Sequence, residues 1–410
     1  MKISLCTIGS TGDVQPFLVL ARALADRGNE VRASSASMYA DLAAAAGVDF
    51  RPFEGDYASL LDQEEMKRVL GRNPFTIGHR LREHVYPIVE SSLETFLELS
   101  EWADLVVYHP KALVDVFGVR FPEKLVKAYV VPAFTPTRAF ACPAFSGLPI
   151  PRPLRRSSYR LATALLSTVR APIRAFAARH GLPQRARFLA SPTLYGISPT
   201  FLPRPDDYPD DHAFSGFWLQ EPPGDALPEP VERLLATGRP TVVLTFGSMP
   251  YRAPAPIDQV AQALVRRAGV QVVVVRAWGL RDARIDESES IVAVDRLSYA
   301  DSFPRVSAVV HHGGAGTTAE AVRAGVPMVV RPVLHPFGDQ RFWGRRAEAL
   351  GIAGPTVPLK RARPEALADS VATLLKGDAP RRSAELGARV RDEQGTAAAV
   401  EWIEALRAAP

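Results

Sequence analysis

The chain has 410 residues, which is too long for one ordinary hydrophobic core and predicts two domains. Hydrophobic residues make up 47% and charged residues 23%, which excludes a disordered protein and fits a soluble globular enzyme. The net charge of +5 is small for this length and the charges are interspersed, so no nucleic-acid partner is indicated.

Cysteine content and hydropathy indicate the cellular setting. The two cysteines, Cys6 and Cys142, can form neither a disulfide framework nor a zinc site, which fits a reducing cytoplasm. The N-terminal residues lack the pattern of a signal peptide, and no run of about 18 apolar residues predicts a membrane-spanning helix. We therefore expect a cytoplasmic protein, and one without a metal because no His, Asp or Glu cluster has metal-ligand spacing.

The first half begins with a strand–helix–strand pattern. Residues 2–8 predict a buried strand and residues 9–13 a loop, while Pro16 suits the first turn of a helix that Gly28 ends. A second strand at 31–34 implies parallel pairing with a right-handed crossover. Further along this half, the predicted helices are 88–99 and 161–176, and the predicted strands are 104–108, 126–131 and 194–197.

The second half follows a stretch of different composition. Residues 206–235 are rich in proline and aspartate, which predicts a linker, interrupted by a short strand pattern at 214–218. Strand and helix patterns then alternate, which predicts a second doubly wound unit. Its predicted strands are 241–246, 271–276, 291–294, 308–311 and 328–331, and its predicted helices are 257–268, 319–324, 363–375 and 384–406.

These patterns predict the α/β fold class, with two Rossmann-like, doubly wound domains that face each other across a cleft. We assign residues 1–205 to an N-terminal domain and residues 236–390 to a C-terminal domain. Residues 391–410 are expected to form a C-terminal helix that packs back on the N-terminal domain. Ligands of such sheets bind at the carboxyl ends of the strands, so the functional loops are expected there.

A glycine-rich loop, His-His-Gly-Gly-Ala-Gly-Thr-Thr at 311–318, separates a predicted strand from a predicted helix. Such a loop lets backbone N–H groups approach an anion closely, and the helix start adds partial positive charge. His312 and Thr317 can each donate a hydrogen bond to a phosphate oxygen. Neither a P-loop nor a Gly-x-Gly-x-x-Gly pattern is present, so ATP hydrolysis and nicotinamide binding lack support. The alternative is an ordinary tight turn that is rich in glycine.

Two further segments follow predicted strands. Asp339 and Gln340 stand beyond the strand at 328–331, and a carboxylate beside an amide can bind neighbouring sugar hydroxyls. Their alternative is a solvated loop pair. Ser248 follows the strand at 241–246 and can bond a phosphate oxygen, although this signal is weak alone. With the glycine-rich loop, these residues indicate a pocket for a nucleotide diphosphate that carries a sugar.

Asp13 lies in the first strand–helix loop and is the candidate general base. A carboxylate that is partly desolvated in a cleft between domains is expected to have a raised pKa, which suits a general base. The alternative is a helix N-cap or a surface charge, since aspartate is favoured before helices. The sequence lacks a Gly-x-Ser-x-Gly elbow, so a serine nucleophile is unsupported. The remaining histidines, His79, His84, His109, His180 and His212, are interpreted as structural.

With these motifs, the chain resembles nucleotide-sugar glycosyltransferases of the GT-B fold. The resemblance is to the group that contains bacterial natural-product glycosyltransferases, of the glycopeptide, macrolide and polyketide types, and sterol glucosyltransferases. The segments that carry it are 9–16, 246–248, 311–318 and 338–344. Because they cover both halves with the family's spacing, the resemblance is specific; residues 342–344 with 354–355 favour the sterol side.

The resemblance implies a donor site in the C-terminal domain and an acceptor site in the N-terminal domain. It implies Asp13 as the base, Asp339 and Gln340 as sugar contacts, and Arg296 and Leu297 beside the nucleobase. The residues implied at the donor's diphosphate, or lining the cleft beside it, are Ser10, Thr11, Gly12, Ser248, His312, Gly313, Gly314, Gly316 and Thr317. Two positions depart from the family pattern: Thr11 stands where arginine is usual, and Arg341 stands where proline or an apolar residue is common.

The reaction implied is inverting, metal-independent transfer of a hexose from a UDP- or TDP-sugar to a hydroxyl of an apolar or aromatic acceptor. The nucleotide-diphosphate sugar is a co-substrate, no further cofactor is implied, and the protein is expected to be a monomer or homodimer. Loops between residues 55 and 160 are expected to line the acceptor site. Aromatic residues there either contact the acceptor or serve packing alone: Tyr57, Phe134, Phe140 and Phe145.

Three alternatives remain at the sequence level. The first is a nucleotide-sugar epimerase or hydrolase of the same fold, which would consume donor without an acceptor. The second is a non-catalytic auxiliary homologue, which intact motifs argue against. The third is a peripheral membrane enzyme, because a local arginine cluster can dock on anionic headgroups. That cluster comprises Arg152, Arg155, Arg156 and Arg160.

Overall fold

The computed structural model describes residues 1–55, 83, 85–165, 169–183, 189–222, 224, 226–249, 251, 253–277, 279–281 and 283–408. Tyr57, His79 and His84 lie outside the described residues. Within the described part, the strands form two separate parallel sheets with helices around them, which confirms the predicted α/β class. Both sheets are built from buried apolar runs, because parallel strands are covered on both faces.

The first sheet contains seven parallel strands within the described residues, in the order β3-β2-β1-β4-β5-β6-β7. Their bounds are β1 Lys2–Cys6, β2 Glu30–Ser34, β3 Asp49–Phe50, β4 Leu105–Tyr108, β5 Leu125–Tyr129, β6 Thr193–Tyr195 and β7 His212–Phe214. Strand β1 pairs with both β2 and β4, so the strand order changes direction at β1 and β4. The helices of this half are α1 Thr11–Asp26, α2 Ala40–Ala45, α3 Tyr86–Trp102, α4 Arg155–Leu165 and α5 Arg170–Arg179.

Two helix predictions in this half are wrong. Helix α1 begins at Thr11, after the N-cap Ser10, so Pro16 lies inside the helix and not in its first turn. The glycine and small polar residues before Asp13 look like loop, but Ser10 and Asp13 exchange capping contacts that start the helix early. The single helix predicted at 161–176 is two helices, α4 and α5.

The second sheet contains five parallel strands within the described residues, in the order β10-β9-β8-β11-β12. Their bounds are β8 Thr241–Thr245, β9 Gln271–Val275, β10 Ile291–Val294, β11 Ala308–His311 and β12 Met328–Val330. The helices of this half are α6 Glu229–Ala236, α7 Ile257–Ala263, α8 Tyr299–Ser302, α9 Ala315–Ala324, α10 Gln340–Ala349, α11 Pro364–Lys376, α12 Ala379–Asp392 and α13 Gly395–Ala408. Here the strand order changes direction between β8 and β11.

The segment between the sheets, residues 206–235, contributes regular structure to both. Strand β7 pairs with β6 and extends the first sheet. It begins at His212, two residues before the start of the strand predicted at 214–218. Helix α6 buries Val231 and Leu234 in the core of the second half. Between them, Trp218 packs edge-on against Phe17, with ring centroids 6.0 Å apart. Truncating such a fully buried tryptophan to alanine costs about 3–5 kcal/mol.

The C-terminal residues form two helices where one was predicted at 384–406. Gln394 separates α12 from α13 with a positive φ of 46°, which a continuous helix does not allow. Helix α13 packs on α1 and buries Ala399, Val400 and Ile403 in the core of the first half. The Arg27 guanidinium lies 3.0 Å from the Glu404 carboxylate across this contact.

Candidate functional site

In each sheet, the chain order of the strands reverses direction at one pair of neighbouring strands. The loops that follow these two pairs approach one another. In open α/β sheets, ligands bind beside such a pair at the carboxyl ends of the strands. The pairs are β1 with β4 and β8 with β11. A narrow cavity separates the helices that follow β1 and β11, with Gly12 and Pro16 on one side and Gly316 and Ala319 on the other. The motifs from the two halves therefore meet at one interface.

The glycine-rich loop makes a sharp turn that only glycine fits. Strand β11 ends at His311, whose Nδ1 accepts a hydrogen bond from the Gly313 N–H at 3.2 Å. Gly313 has a φ of 89°, and an added Cβ would lie 2.6 Å from Val330 Cγ1 and 2.7 Å from the Gln340 carbonyl oxygen. An alanine would therefore clash with a packed side chain and with backbone at once. The absence of a side chain at Gly313 therefore lets the backbone of this turn pack directly against Val330 at the end of β12 and against the start of α10.

Helix α9 begins within this loop, four residues before the predicted start at 319. Gly314 is its N-cap, and the Thr318 hydroxyl donates to the Gly314 carbonyl oxygen at 2.9 Å. Gly316 and Thr317 therefore lie in the first turn, where backbone N–H groups have no partner within the helix. Apart from the helix's own backbone and the adjacent residues, no atom of the described residues lies within 4 Å of the Cβ position at Gly316, so the space beside this residue is open. The helix start presents free donors to the cleft.

His312 lies beside this helix start and carries an unused ring nitrogen. Its side chain is buried, and its Nδ1 has no hydrogen-bond partner among the described residues. The ring touches the loop after β8, since Cε1 lies 3.2 Å from the Cβ position of Gly247. Burial lowers the pKa of His312 to about 4, so the ring is neutral at physiological pH. An unpartnered buried nitrogen costs about 1–3 kcal/mol, which a ligand oxygen would relieve.

The remaining donor-side candidates lie at the same edge of the second sheet. Ser248 is half-buried in the loop after β8, next to Gly247 and therefore near His312. Arg296 and Leu297 follow β10, the outermost strand; Arg296 is exposed and Leu297 is half-buried. Along this edge of the sheet, Arg296 and Leu297 lie in the loop after β10, Ser248 lies in the loop after β8, and His312 lies in the loop after β11.

Gln340 is the first residue of α10 and is not part of an open loop. Its Oε1 accepts hydrogen bonds from the backbone N–H groups of Val333 and Leu334, each at 2.8 Å. The side chain is buried, so its amide oxygen holds the loop after β12 together. Only the amide NH₂ group is left to reach a ligand.

Asp339 precedes α10 and lies closer to the cleft. Its Oδ2 accepts a hydrogen bond from Trp343 Nε1 at 2.8 Å, which fixes the carboxylate. Burial raises the pKa of Asp339, and the nearby negative charge of Asp13 raises it further, although the Trp343 N–H opposes both. The negative charge of Asp13, in the N-terminal half, therefore acts on Asp339 in the C-terminal half.

Asp13 is buried in the first turn of α1, and both of its carboxylate oxygens are engaged. Oδ2 accepts from the Ser10 backbone N–H at 2.9 Å and from the Ser10 hydroxyl at 3.2 Å. Oδ1 accepts from the Lys111 ammonium group at 2.7 Å. Thr11 and Gly12 occupy the same first turn and are half-exposed. The N-cap of α1 is Ser10, so Asp13 is not the N-cap but the third residue of the helix, where it completes the capping box.

The prediction of a raised pKa for Asp13 is wrong. Burial alone raises the pKa, but the positive charge of Lys111, the nearby His109 and the hydrogen bonds from Lys111 and Ser10 together lower it below the ordinary value. The sequence analysis missed Lys111. A cation shortly after β4, the strand that pairs with β1, was the available signal, because neighbouring parallel strands bring their following loops together.

The other histidines within the described residues have structural surroundings. Nδ1 of His109 accepts from the Lys111 backbone N–H at 3.1 Å, and the ring packs edge-on against Phe134 with centroids 5.8 Å apart. Burial, with the charge of Lys111, lowers the pKa of His109 to about 3. His180 and His212 bind Glu94 and Tyr195 respectively.

The aromatic residues expected at the acceptor site are engaged in packing. Phe134 packs against His109 in the first half, Phe140 lies 5.1 Å from Phe342 between ring centroids, and Phe145 is buried beside Cys142. Phe134 and Phe140 are only partly buried. The structure favours packing for Phe145.

Domain families match both ends of the chain. Residues 3–95 match the glycosyltransferase family 28 N-terminal domain. Residues 271–403 match the C-terminal domain of proteins like erythromycin biosynthesis protein CIII. An O-mycaminosyltylonolide 6-deoxyallosyltransferase of Streptomyces fradiae is 34% identical and covers 98% of this chain and 97% of its own length. The chain is a GT-B glycosyltransferase.

Further relatives and solved structures agree with this glycosyltransferase family. A sterol 3-beta-glucosyltransferase of Arabidopsis thaliana is 28% identical over 98% of this chain and 67% of its own length. The crystal structure of the kitacinnamycin glycosyltransferase superposes with a TM-score of 0.75 at 18% identity, covering 99% of this chain and 98% of that chain. The spinosyn rhamnosyltransferase complexed with thymidine diphosphate superposes with a TM-score of 0.67 at 18% identity, covering 98% and 100%. These likenesses show the GT-B fold.

Two loops of the glycosyltransferase, 144–147 and 336–338, form a direct connection between the halves, which we call the clasp. Gly338 N–H donates to the Ala144 carbonyl oxygen at 2.8 Å, and Gly147 N–H donates to the Pro336 carbonyl oxygen at 3.0 Å. The Ser146 hydroxyl adds a bond to the Gly338 carbonyl oxygen at 2.7 Å. The clasp therefore joins a loop of the N-terminal half to the loop that precedes Asp339.

Arg341, which departs from the family pattern, also takes part in this connection. Its Nη1 donates to the Ser146 carbonyl oxygen at 3.2 Å. The guanidinium group therefore stabilises the contact between the two halves. Its Nε is buried without a hydrogen-bond partner among the described residues.

We expect Gly147→Ala to disrupt the clasp. An added Cβ would lie 2.4 Å from the Pro336 carbonyl oxygen and 2.8 Å from His335 Nδ1, so one loop must move. Overpacking of this kind costs about 1–3 kcal/mol. In this variant, hydrogen–deuterium exchange should become faster at the backbone amides of residues 147 and 338, which donate the hydrogen bonds of the clasp. Gly354→Ala is the control, since its nearest neighbour would lie at an ordinary 3.5 Å; equal exchange in both variants would contradict the clasp.

Neither a membrane-spanning helix nor a metal-binding cluster is present in the described part of the chain. No helix there combines the length and apolar character needed to cross a membrane. No cluster of His, Cys, Asp and Glu within those same residues is arranged to hold a metal ion. In the arginine cluster, Arg152, Arg156 and Arg160 are exposed, while Arg155 donates to the Ala139 carbonyl oxygen at 2.8 Å.

Proposed function

We propose that this glycosyltransferase is an inverting, metal-independent hexosyltransferase. It uses a UDP- or TDP-sugar and glycosylates a hydroxyl of an apolar or aromatic natural product or of a sterol-like acceptor. One observation carries the proposal: the buried, unpartnered Nδ1 of His312 lies beside the start of α9, and the cavity at this helix start is lined on its other side by Gly12, the neighbour of Asp13. An anion-binding helix start thus faces a base across a cleft.

The order of strands in the second sheet supports the orientation of the donor. The loop after β10, with Arg296 and Leu297, receives the nucleobase. The central loops after β8 and β11, with Ser248 and His312, receive the diphosphate. The loop after β12, with Asp339, receives the sugar and places it near Asp13. A solved relative, the spinosyn rhamnosyltransferase, is complexed with thymidine diphosphate, which favours a TDP-sugar as the first donor to test.

The chemistry follows from these positions. The acceptor hydroxyl attacks the anomeric carbon from the face opposite the diphosphate, so a new glycosidic C–O bond forms as the bond to the phosphate oxygen breaks. Asp13 accepts the hydroxyl proton. His312 and the free N–H groups at the start of α9 stabilise the charge that develops on the leaving diphosphate. Attack from the opposite face inverts the anomeric configuration.

The acceptor class rests on the relatives. The O-mycaminosyltylonolide 6-deoxyallosyltransferase, a macrolide glycosyltransferase, covers 98% of this chain. Sterol glucosyltransferases also match this chain. Polyketide macrolactones are therefore the first acceptors to test and sterols the second. Peripheral contact with a membrane would add access to sterols, and the exposed arginines of α4 favour anionic headgroups.

A thermal-shift screen followed by product analysis tests the proposal. UDP-glucose, TDP-glucose, UDP and TDP are compared first, and the stabilising donor is then incubated with a macrolactone alcohol, 4-methylumbelliferone or ergosterol. Mass spectrometry should detect a product heavier by one hexose, with inverted anomeric configuration by NMR. Donor consumption without any acceptor product would instead indicate a nucleotide-sugar hydrolase or epimerase. Donor binding without any turnover would indicate a non-catalytic homologue.

A further inference from the structure

Lys111 and Asp13 form an ion pair across two neighbouring loops of the N-terminal half. We propose that Lys111 is a positioning residue for Asp13 in sugar transfer: its ammonium group fixes the carboxylate and keeps it ionised while Asp339 faces it across the cleft. This inference rests on the proposed function, because it assigns Asp13 the role of base.

Hydrogen bonds hold both carboxylate oxygens of Asp13. Ser10 binds Oδ2 through its backbone N–H and its hydroxyl, and Lys111 binds Oδ1 at 2.7 Å. A carboxylate held at both oxygens cannot rotate. Oδ2 already accepts two hydrogen bonds, whereas Oδ1 accepts one and retains a lone-pair direction for an acceptor hydroxyl. Removing Lys111 would leave Oδ1 free to turn away from the reacting hydroxyl.

Lys111 is itself held by the turn that follows β4. Its backbone N–H donates to His109 Nδ1, and the Leu113 N–H donates to the Pro110 carbonyl oxygen at 3.1 Å, which closes a tight turn. The side chain is 41% exposed, so the ammonium group reaches Asp13 from the solvent side of the cleft. A neutral replacement should therefore fold, because no buried charge loses its partner except Asp13 itself.

The charges around Asp13 explain why a cation is needed there. At physiological pH His109 is uncharged, because its pKa is lowered to about 3, and the Tyr39 phenol has a pKa raised to about 12, chiefly by burial, so neither residue balances a carboxylate there. Asp339 adds a second negative charge from the other half. A neighbouring carboxylate disfavours ionisation, so without a cation the pKa of one of the two is raised. Lys111 supplies that cation, and the pKa of Asp13 is accordingly below its ordinary value.

The variant Lys111→Met tests this role because it keeps an unbranched side chain only one atom shorter and removes its charge. Without the ammonium group, the Asp13 pKa should rise by about 1–3 pH units, the usual effect of a close opposite charge. The acid limb of the pH profile of kcat/KM should move upward by the same amount, so activity is lost at a higher pH as the pH falls. Donor affinity should stay unchanged. Lys111→Arg should restore the wild-type limb, and Lys124→Met, a lysine bound to the Ala103 carbonyl oxygen, is the matched control.

A second measurement does not depend on turnover. The carboxylate infrared band that Asp13→Asn removes is titrated in the wild-type protein and in Lys111→Met. A shift of its midpoint to higher pH supports the proposal, and an unchanged midpoint together with an unchanged kcat/KM profile overturns it. Full turnover by Asp13→Asn would contradict the proposed base and hence the positioning role in catalysis. The infrared titration would then still report whether the ion pair controls the charge of Asp13.

Discussion

Asp13→Asn is expected to lower kcat by about 10²–10⁴-fold, the usual contribution of a general base. The asparagine keeps the shape of the side chain, so its contact with Ser10 can persist, but it cannot accept the acceptor's proton. Donor binding should be preserved, because the candidate donor contacts in the C-terminal half are untouched. Steady-state kinetics with the donor–acceptor pair from the product screen, and titration calorimetry with TDP or UDP, measure the two quantities separately.

The matched control for this substitution is Asp26→Asn at the other end of α1. Asp26 pairs with Arg22 at 2.6 Å on the exposed surface of the same helix, so it tests the loss of a helix carboxylate without touching the cleft. Its kcat should equal that of the wild-type enzyme. If Asp13→Asn turned over as fast as Asp26→Asn, the base would have to be another group.

His312→Ala should lower kcat by about 10²–10³-fold, as the loss of one preorganised hydrogen-bond donor at a developing negative charge does. His312 lies beside the start of α9 and is neutral, so it can offer an N–H to a phosphate oxygen without protonation. A bond to a charged oxygen contributes about 1.5–3 kcal/mol. The dissociation constant of TDP or UDP should therefore rise as well. Calorimetry and single-turnover kinetics measure the two effects.

The control for His312→Ala is His180→Ala. His180 lies 2.9 Å from Glu94 in the N-terminal half, away from the glycine-rich loop. Nucleotide affinity and kcat should be unchanged in this variant. Unchanged nucleotide affinity in His312→Ala would show that the diphosphate does not contact this ring, and the assignment of the loop as the diphosphate site would fail.

The sequence predicted the strands of this fold better than the starts of its helices. Ten predicted strands differ from the observed ones by at most two residues at either end, since buried parallel strands are continuous apolar runs. The starts of α1 and α9 were missed because their first turns contain glycine and threonine, which on their own indicate loop. In both cases the missed turn contains candidate site residues, Asp13 in α1 and Thr317 in α9.

The residues of the candidate site were also predicted unequally well from the sequence. Residues on one loop, such as His312 and Gly313, were found together because a single motif carries them. Lys111 was missed because its role depends on β4 lying beside β1, which spacing along the chain does not reveal. The shifted pKa of Asp13 was predicted with the wrong sign for the same reason, since burial was visible from the pattern and the cation was not. Gln340 was predicted to contact the donor sugar, and the sequence did not reveal that its amide oxygen accepts hydrogen bonds from two backbone N–H groups of the loop after β12.

The position of α13 has a practical consequence for recombining such enzymes. Its apolar face, with Ala399, Val400 and Ile403, completes the core around α1, although it is the last segment of the chain. A chimera with one crossover between the sheets would pair this segment with a foreign α1 surface. Exchange of acceptor specificity by swapping halves therefore needs two crossovers, the second near Gln394, so that the terminal helix travels with the parent that supplies residues 1–205.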